Sequence, residues 1–286
     1  MLFSWLTEHR RKKILAEPFP EAWEHYLHRD VPHDEFLSDE ERERLRDLIQ
    51  IFVAEKNWEG CGGLTLTDEI RVGIAAQACL LLLGLEDHNF YKNVQSILVY
   101  PSGYKVVETH PREAGIVDET PGARLGEAWS TGGPVVLSWS DALTGGRDPF
   151  DGHNVVLHEF AHKLDLRDGS ADGVPNLSEG QEQYDEWHDV MAPEYDHLVA
   201  QNEQGRADLL DGYGATSPAE FFAVATECFF EKPRQLREKH PRLYDVLARY
   251  YRQDTAARVE TAVRDRDEAE PRTAENDGSG EHPDSG

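Results

Sequence analysis

The sequence predicts an α+β domain, mainly helical, with a small mixed sheet. Apolar residues recur at helical spacing before about residue 90 and again after about residue 154. Between these regions, short apolar runs bounded by Pro and Gly read as strands. Helices, then strands, then helices, with no repeat at a solenoid or propeller period, is the order of a domain that segregates its helices from its sheet.

The elements follow in chain order. Ser38-Asp-Glu-Glu41 fits a capping box, and Leu45, Leu48, Ile49 and Phe52 continue it at helical spacing. Thr67 leads into Asp68-Glu69, acids suited to a helix N-terminus, and the apolar run Ile74–Leu85 extends that helix into the core. Ser96–Tyr100 reads as a strand stopped by Pro101-Ser-Gly103, and Tyr104–Glu108 as another. Residues 110–126, rich in Pro, Gly and acids, read as a loop. Gly132-Gly-Pro134 opens a strand at Val135–Trp139, and Gly145-Gly146 with Pro149 breaks the chain again. Helices are predicted over Asn154–Leu164, Gln183–Ala200 with Pro193 as a point of interruption, Ser217–Phe230 and Pro233–Arg252.

Composition narrows the function. The chain has 286 residues, 39% of them hydrophobic, and a mean hydropathy of −0.63. That is a soluble composition with enough apolar mass for a core. Acids outnumber bases 55 to 29, for a formal charge of −26. This excludes a general nucleic-acid binder, which needs clustered Lys and Arg, and disfavours an anionic membrane surface. A membrane-spanning helix needs about 20 apolar residues, and Ile74–Leu85 is too short and carries Gln77. The N-terminal MLFSWLTEHRRKK lacks the order of an export signal. Cys61, Cys79 and Cys228 are far apart and form no CxxC pair, so neither a disulfide framework nor a cysteine zinc knuckle is expected. A cytoplasmic protein is the expectation.

The chemistry is concentrated in His158-Glu159-Phe-Ala-His162, an HExxH pattern. Residues four apart on a helix lie nearly above one another, so His158 and His162 can aim at one point. Zinc suits that point, because it accepts neutral imidazole nitrogen. Glu159 is rotated away from both histidines, placed to act on a metal-bound water rather than to bind the metal. Chance gives HExxH in about one such chain in twenty. The apolar neighbours Val155, Val156, Leu157, Phe160, Ala161 and Leu164 therefore matter, because polar side chains buried among them would be costly without partners.

A catalytic zinc has three protein ligands and an open position. Glu220 is the candidate third ligand. Ser217-Pro-Ala-Glu220 is also a complete capping box, so spacing alone leaves cap and ligand open. Glu227, two turns on, competes as ligand or as a supporting carboxylate. Tyr213 could donate to an oxyanion, and Asp165 could orient a ligating histidine.

These segments resemble the Mlc titration factor A family of bacterial zinc metallopeptidases. The resemblance lies in HEFAHKLD at 158–165, ADGVPNL at 171–177 and YGATSPAEFFAVATECFFEKP at 213–233. Upstream, PFPEAW at 18–23, LTLTDEIRVGIAAQACLLLLGL at 64–85 and ILVYPSGY at 97–104 extend it. The HExxH and EFFA elements are also similar to the zinc domain of anthrax lethal factor. The resemblance implies a zincin-like fold and one Zn²⁺ held by His158, His162 and Glu220, with Glu159 and Tyr213 catalytic. Lethal factor has a further Glu four residues after its ligand, where this chain has Val224. The resemblance further implies an aminopeptidase-like activity on a peptide or protein substrate, and a link to sugar uptake through a transcriptional repressor of the Mlc type. The other reading is a non-catalytic binder that sequesters such a repressor. The expected layout is an extension over 1–12, a peptidase domain over 13–262 and a disordered acidic tail over 263–286. Within the domain, a helical part runs to about 90 and a catalytic part covers about 95–252.

Overall fold

The computed structural model describes residues 2–85, 90–102, 133–177 and 180–269. The expected strand at 104–108, the loop at 110–126 and the chain after 269 lie outside the described residues. The architecture is mainly helical with one small sheet.

Helices α1 (Leu2–Ile14), α2 (Glu21–Asp30) and α3 (Asp39–Glu55) open the chain. The capping box at α3 forms: the Glu41 amide donates to Ser38 Oγ at 3.2 Å, and the Ser38 amide donates to Glu41 Oε2 at 3.0 Å. Helix α4 (Asp68–Leu80), capped by Thr67, is buried along its length. The regular helix ends at Leu80, short of the expected Leu85. Its continuation turns so that Gly84 meets the far end of the chain, where a Cβ would fall 2.1 Å from the Tyr251 carbonyl oxygen. Gln77 is tolerated inside α4 because its Nε2 donates to the Gly73 and Ala142 carbonyls, at 2.9 and 3.1 Å.

Strands β1 (Asn57–Gly60), β2 (Ser96–Tyr100) and β3 (Val135–Ser138) form a sheet of order β1-β2-β3. Both pairings are parallel, with Trp58 opposite Ile97 and Ile97 opposite Val135. The described strands are thus all parallel, where a mixed sheet is the sequence expectation. Trp139 belongs not to β3 but to the start of α5 (Trp139–Arg147), because Ser138 caps that helix through the Asp141 amide.

Gly145 and Gly146 lie inside α5 rather than breaking it. They admit close neighbours: a Cβ on Gly145 would sit 2.8 Å from the His153 carbonyl oxygen, and one on Gly146 would sit 2.7 Å from Gln77 Nε2.

After Asn154 the described residues form α6 (Val155–Asp165), α7 (Gln181–Glu203), α8 (Pro218–Glu231), α9 (Pro233–Lys239), α10 (Pro241–Tyr251) and α11 (Thr255–Ala269). Pro193 leaves α7 continuous. The carbonyl it cannot pair is that of Asp189, and both residues face solvent. Pro241 instead divides the predicted Pro233–Arg252 helix into two. Helix α11 carries the first residues of the expected tail, as far as Ala269.

One core joins these parts. Phe160 on α6 packs edge-on against Phe52 of α3 and Tyr91, with ring centroids 5.6 and 4.8 Å apart. That contact fixes the apolar face of α6 inward and turns its histidines toward α8. Arg258 of α11 pairs with Glu41 and so ties α11 to the start of α3. Among the described residues, no helix is long and apolar enough to cross a membrane.

Candidate metal centre

Helix α6 begins where Asn154 Oδ1 accepts the Val156 and Leu157 amides, at 3.1 and 3.0 Å. This cap sets the register that places His158 and His162 on one side, one turn apart. Helix α8 packs along α6 and brings Glu220 to them. His158 Nε2 and His162 Nε2 are 3.2 Å apart, and Glu220 Oε2 lies 3.0 and 3.2 Å from them. Among the described residues, these three form a group able to hold a metal ion. Two imidazoles and one carboxylate are the donor set of a catalytic zinc site with an open position.

The capping motif at α8 is used by halves. Ser217 Oγ accepts the Glu220 amide at 3.2 Å, while the Glu220 carboxylate turns to the histidines. One residue thus serves the helix with its backbone and the cluster with its side chain.

Glu227 stands behind His158. Its Oε1 meets His158 Nδ1 at 2.7 Å, and its Oε2 accepts the Asn154 amide at 2.6 Å. A carboxylate at Nδ1 leaves Nε2 as the free donor atom of that ring. Val224, at the position where lethal factor has its further Glu, is buried in the core instead.

A family model for the glucose-regulated metallo-peptidase M90 matches residues 5–252. The chain belongs to this family. It is 41% identical over 247 residues to the uncharacterized protein slr2042 of Synechocystis, covering 86% of this chain and 89% of that one. It is 33% identical over 267 residues to a Mlc titration factor A from Serratia proteamaculans, covering 90% and 94%. A Yersinia pestis protein of the same name is 31% identical over 266 residues, covering 89% and 91%. The chain is therefore a metallopeptidase-family protein.

The charges of this M90 site are arranged around the cluster. Burial pulls His158 down, but its bonds to Glu220 and Glu227 outweigh that and raise it to about 10. Burial raises Glu220, yet the two histidine contacts bring it to about 2. His162 is lowered by burial. Burial lifts Glu159 to about 7, and its Oε2 is enclosed without a hydrogen bond among the described residues.

Tyr213 sits in the short 3-10 turn Gly212–Thr216, whose start Asp211 caps through the Tyr213 amide at 2.7 Å. Its ring centroid is 6.0 Å from that of His158, and the side chain is 46% exposed. Burial and the Glu220 charge raise its phenol. Asp165, fully buried, accepts the Gly173 amide at 2.9 Å and fastens the loop after α6. Lys163 is a buried neighbour of the site that sequence reasoning did not single out. It is buried with its Nζ 3.3 Å from the Gly133 carbonyl, just ahead of β3. Its one signal is the spacing of four from Glu159, which puts the two on one helix face.

Proposed function

We propose that this M90 protein is a zinc-dependent peptidase, with His158, His162 and Glu220 holding one Zn²⁺. The supporting observation is the convergence of two imidazole nitrogens and one carboxylate oxygen within 3.2 Å, with the enclosed Glu159 beside them. When bound, zinc supplies Lewis acidity toward a carbonyl and lowers the pKa of water to about 7.

The chain's own groups do the rest. Glu159, near neutrality through burial, takes a proton from the attacking water and delivers it to the leaving amine. Glu227 fixes the ring of His158. The Tyr213 phenol, kept protonated, donates to the oxyanion of the tetrahedral intermediate. A peptide laid beside β3, the last strand of the described sheet, would add main-chain hydrogen bonds. Peptides presented by their amino end, cleaved in the aminopeptidase manner, are the proposed substrates.

The names of the relatives and of the family support a regulatory role linked to sugar uptake, with a repressor of the Mlc type as partner. The three free cysteines suit a cytoplasmic setting.

Glu159→Gln is the test. The variant is expected to keep about one zinc per chain and to lose hydrolysis of peptide substrates by at least about 100-fold. Full activity in Glu159→Gln would remove this base. Repressor capture that persists in the inactive variant would show that binding and catalysis are separate.

A further inference from the structure

A second cleft, of about 330 Å³, opens beside the Tyr213 turn. Its walls include Gly152 and His153 ahead of α6, Arg206, Asp208 and Asp211 from the segment after α7, and Lys232 at the end of α8. The metal ligands do not line it.

Its charges are unevenly spent. Asp208 meets His197 Nε2 at 3.2 Å and His240 Nε2 at 3.4 Å. Asp211 accepts the Tyr213 amide at 2.7 Å and lies 3.5 Å from His153 Nδ1. Each acid thus faces a histidine, which offsets its charge only when the imidazole is protonated. Lys232 Nζ has no hydrogen-bond or ion-pair partner among the described residues, and the Arg206 side chain has none either. Lys232 and Arg206 thus enter one cleft beside Asp208 and Asp211, in a chain of charge −26.

The lysine also lies close against the chain ahead of α6. Its stem lies across Gly152, where a Cβ would come 2.8 Å from Nζ, 3.0 Å from Cε and 3.1 Å from Cδ. Gly152 has φ +79°, which disfavours a side chain there for a second reason. Glycine thus leaves a groove that a long cationic side chain occupies.

Resting on the peptidase reading, we infer that this cleft is a subsite for a carboxylate of the peptide substrate, bound by Lys232 and Arg206. Lys232 follows Glu220 by twelve residues on or capping α8, so its backbone sits about 18 Å along the helix axis from that of Glu220. An extended peptide covers about 3.3 Å per residue. With the reach of the lysine and glutamate side chains subtracted, the carboxylate would lie about three to five residues from the scissile bond. It is supplied either by an acidic side chain or by the C-terminus of a short peptide.

The test uses zinc-loaded full-length protein and hexapeptides in four forms: free acid or C-terminal amide, with Glu or Gln at the fourth and fifth positions after the scissile bond. Wild type is expected to show KM about tenfold lower for the carboxylate-bearing forms than for the fully neutral amide. In Lys232→Gln that ratio falls to about one, and Arg206→Gln reduces it in part. The free-acid arm and the Glu arm tell C-terminus from side chain. A wild-type preference that is absent, or one that Lys232→Gln leaves intact, overturns the inference. If no peptide is cleaved, the peptidase reading fails on its own, and calorimetric binding of the same series to Glu159→Gln decides the cleft. Carboxylate-selective binding lost with Lys232 upholds the subsite, and binding without that selectivity rejects it.

Discussion

Glu227 does two jobs with two oxygens, steadying His158 and accepting the amide of Asn154, which caps the helix carrying that histidine. Replacing it by Gln is expected to weaken zinc binding about 10- to 100-fold, read by competition with a chromogenic chelator. Unchanged affinity would free His158 from this dependence. Glu231, one turn further along α8, is fully buried, and burial raises its carboxyl to about 9 from an ordinary 4.5. The folded chain keeps that proton while the unfolded chain releases it above about pH 4.5. Stability from this group is therefore present at low pH and lost as pH rises toward 9, by about 1.4 kcal/mol per pH unit. Glu231→Gln should flatten that slope, and urea melts at pH 5 and pH 8 would show it. The HExxH residues were legible because their spacing alone encodes convergence. Glu220 was not, because Ser217 and Glu220 satisfy a capping motif equally well, and only the packing of α8 against α6 decides where the carboxylate goes.

At the scale of elements, caps position the chemistry. Asn154→Ala removes the acceptor of two amides at the start of α6. It is expected to cost about 1–2 kcal/mol in thermal or urea unfolding and to lower metal affinity with it, because the same turn sets His158. Capping boxes and apolar spacing made α3, α4, α6 and α8 readable in the sequence. Strand β1 was not, since Asn57-Trp-Glu-Gly60 contains no β-branched residue and owes its conformation to pairing with β2. Gly145 and Gly146 misled for a related reason. Glycine signals a turn and a close approach alike, and here Gly146 admits Gln77 from α4. Gly146→Ala should cost about 1–3 kcal/mol through that overlap, measured by urea unfolding.

For the molecule as a whole, the proposed ligands come from two helices distant in sequence, so binding of the proposed zinc would be coupled to folding. Zinc at about 100 times its dissociation constant should add about 2.7 kcal/mol to the unfolding free energy, and a chelator should remove it. Glu220→Ala should abolish that increment, and an undiminished increment would place the ion elsewhere. The overall class, mainly helical with a small sheet, was readable because helical periodicity occupies most of the chain. The parallel order of the described strands was not, since pairing direction depends on connections that periodicity does not record. Glu41 completes the cap of α3 while its carboxylate also holds Arg258 on α11. A protease that clips beyond Ala269 would leave this clasp whole. One that cuts ahead of Thr255 would unfasten a helix more than two hundred residues upstream, so α11 acts as a distant guarantor of α3.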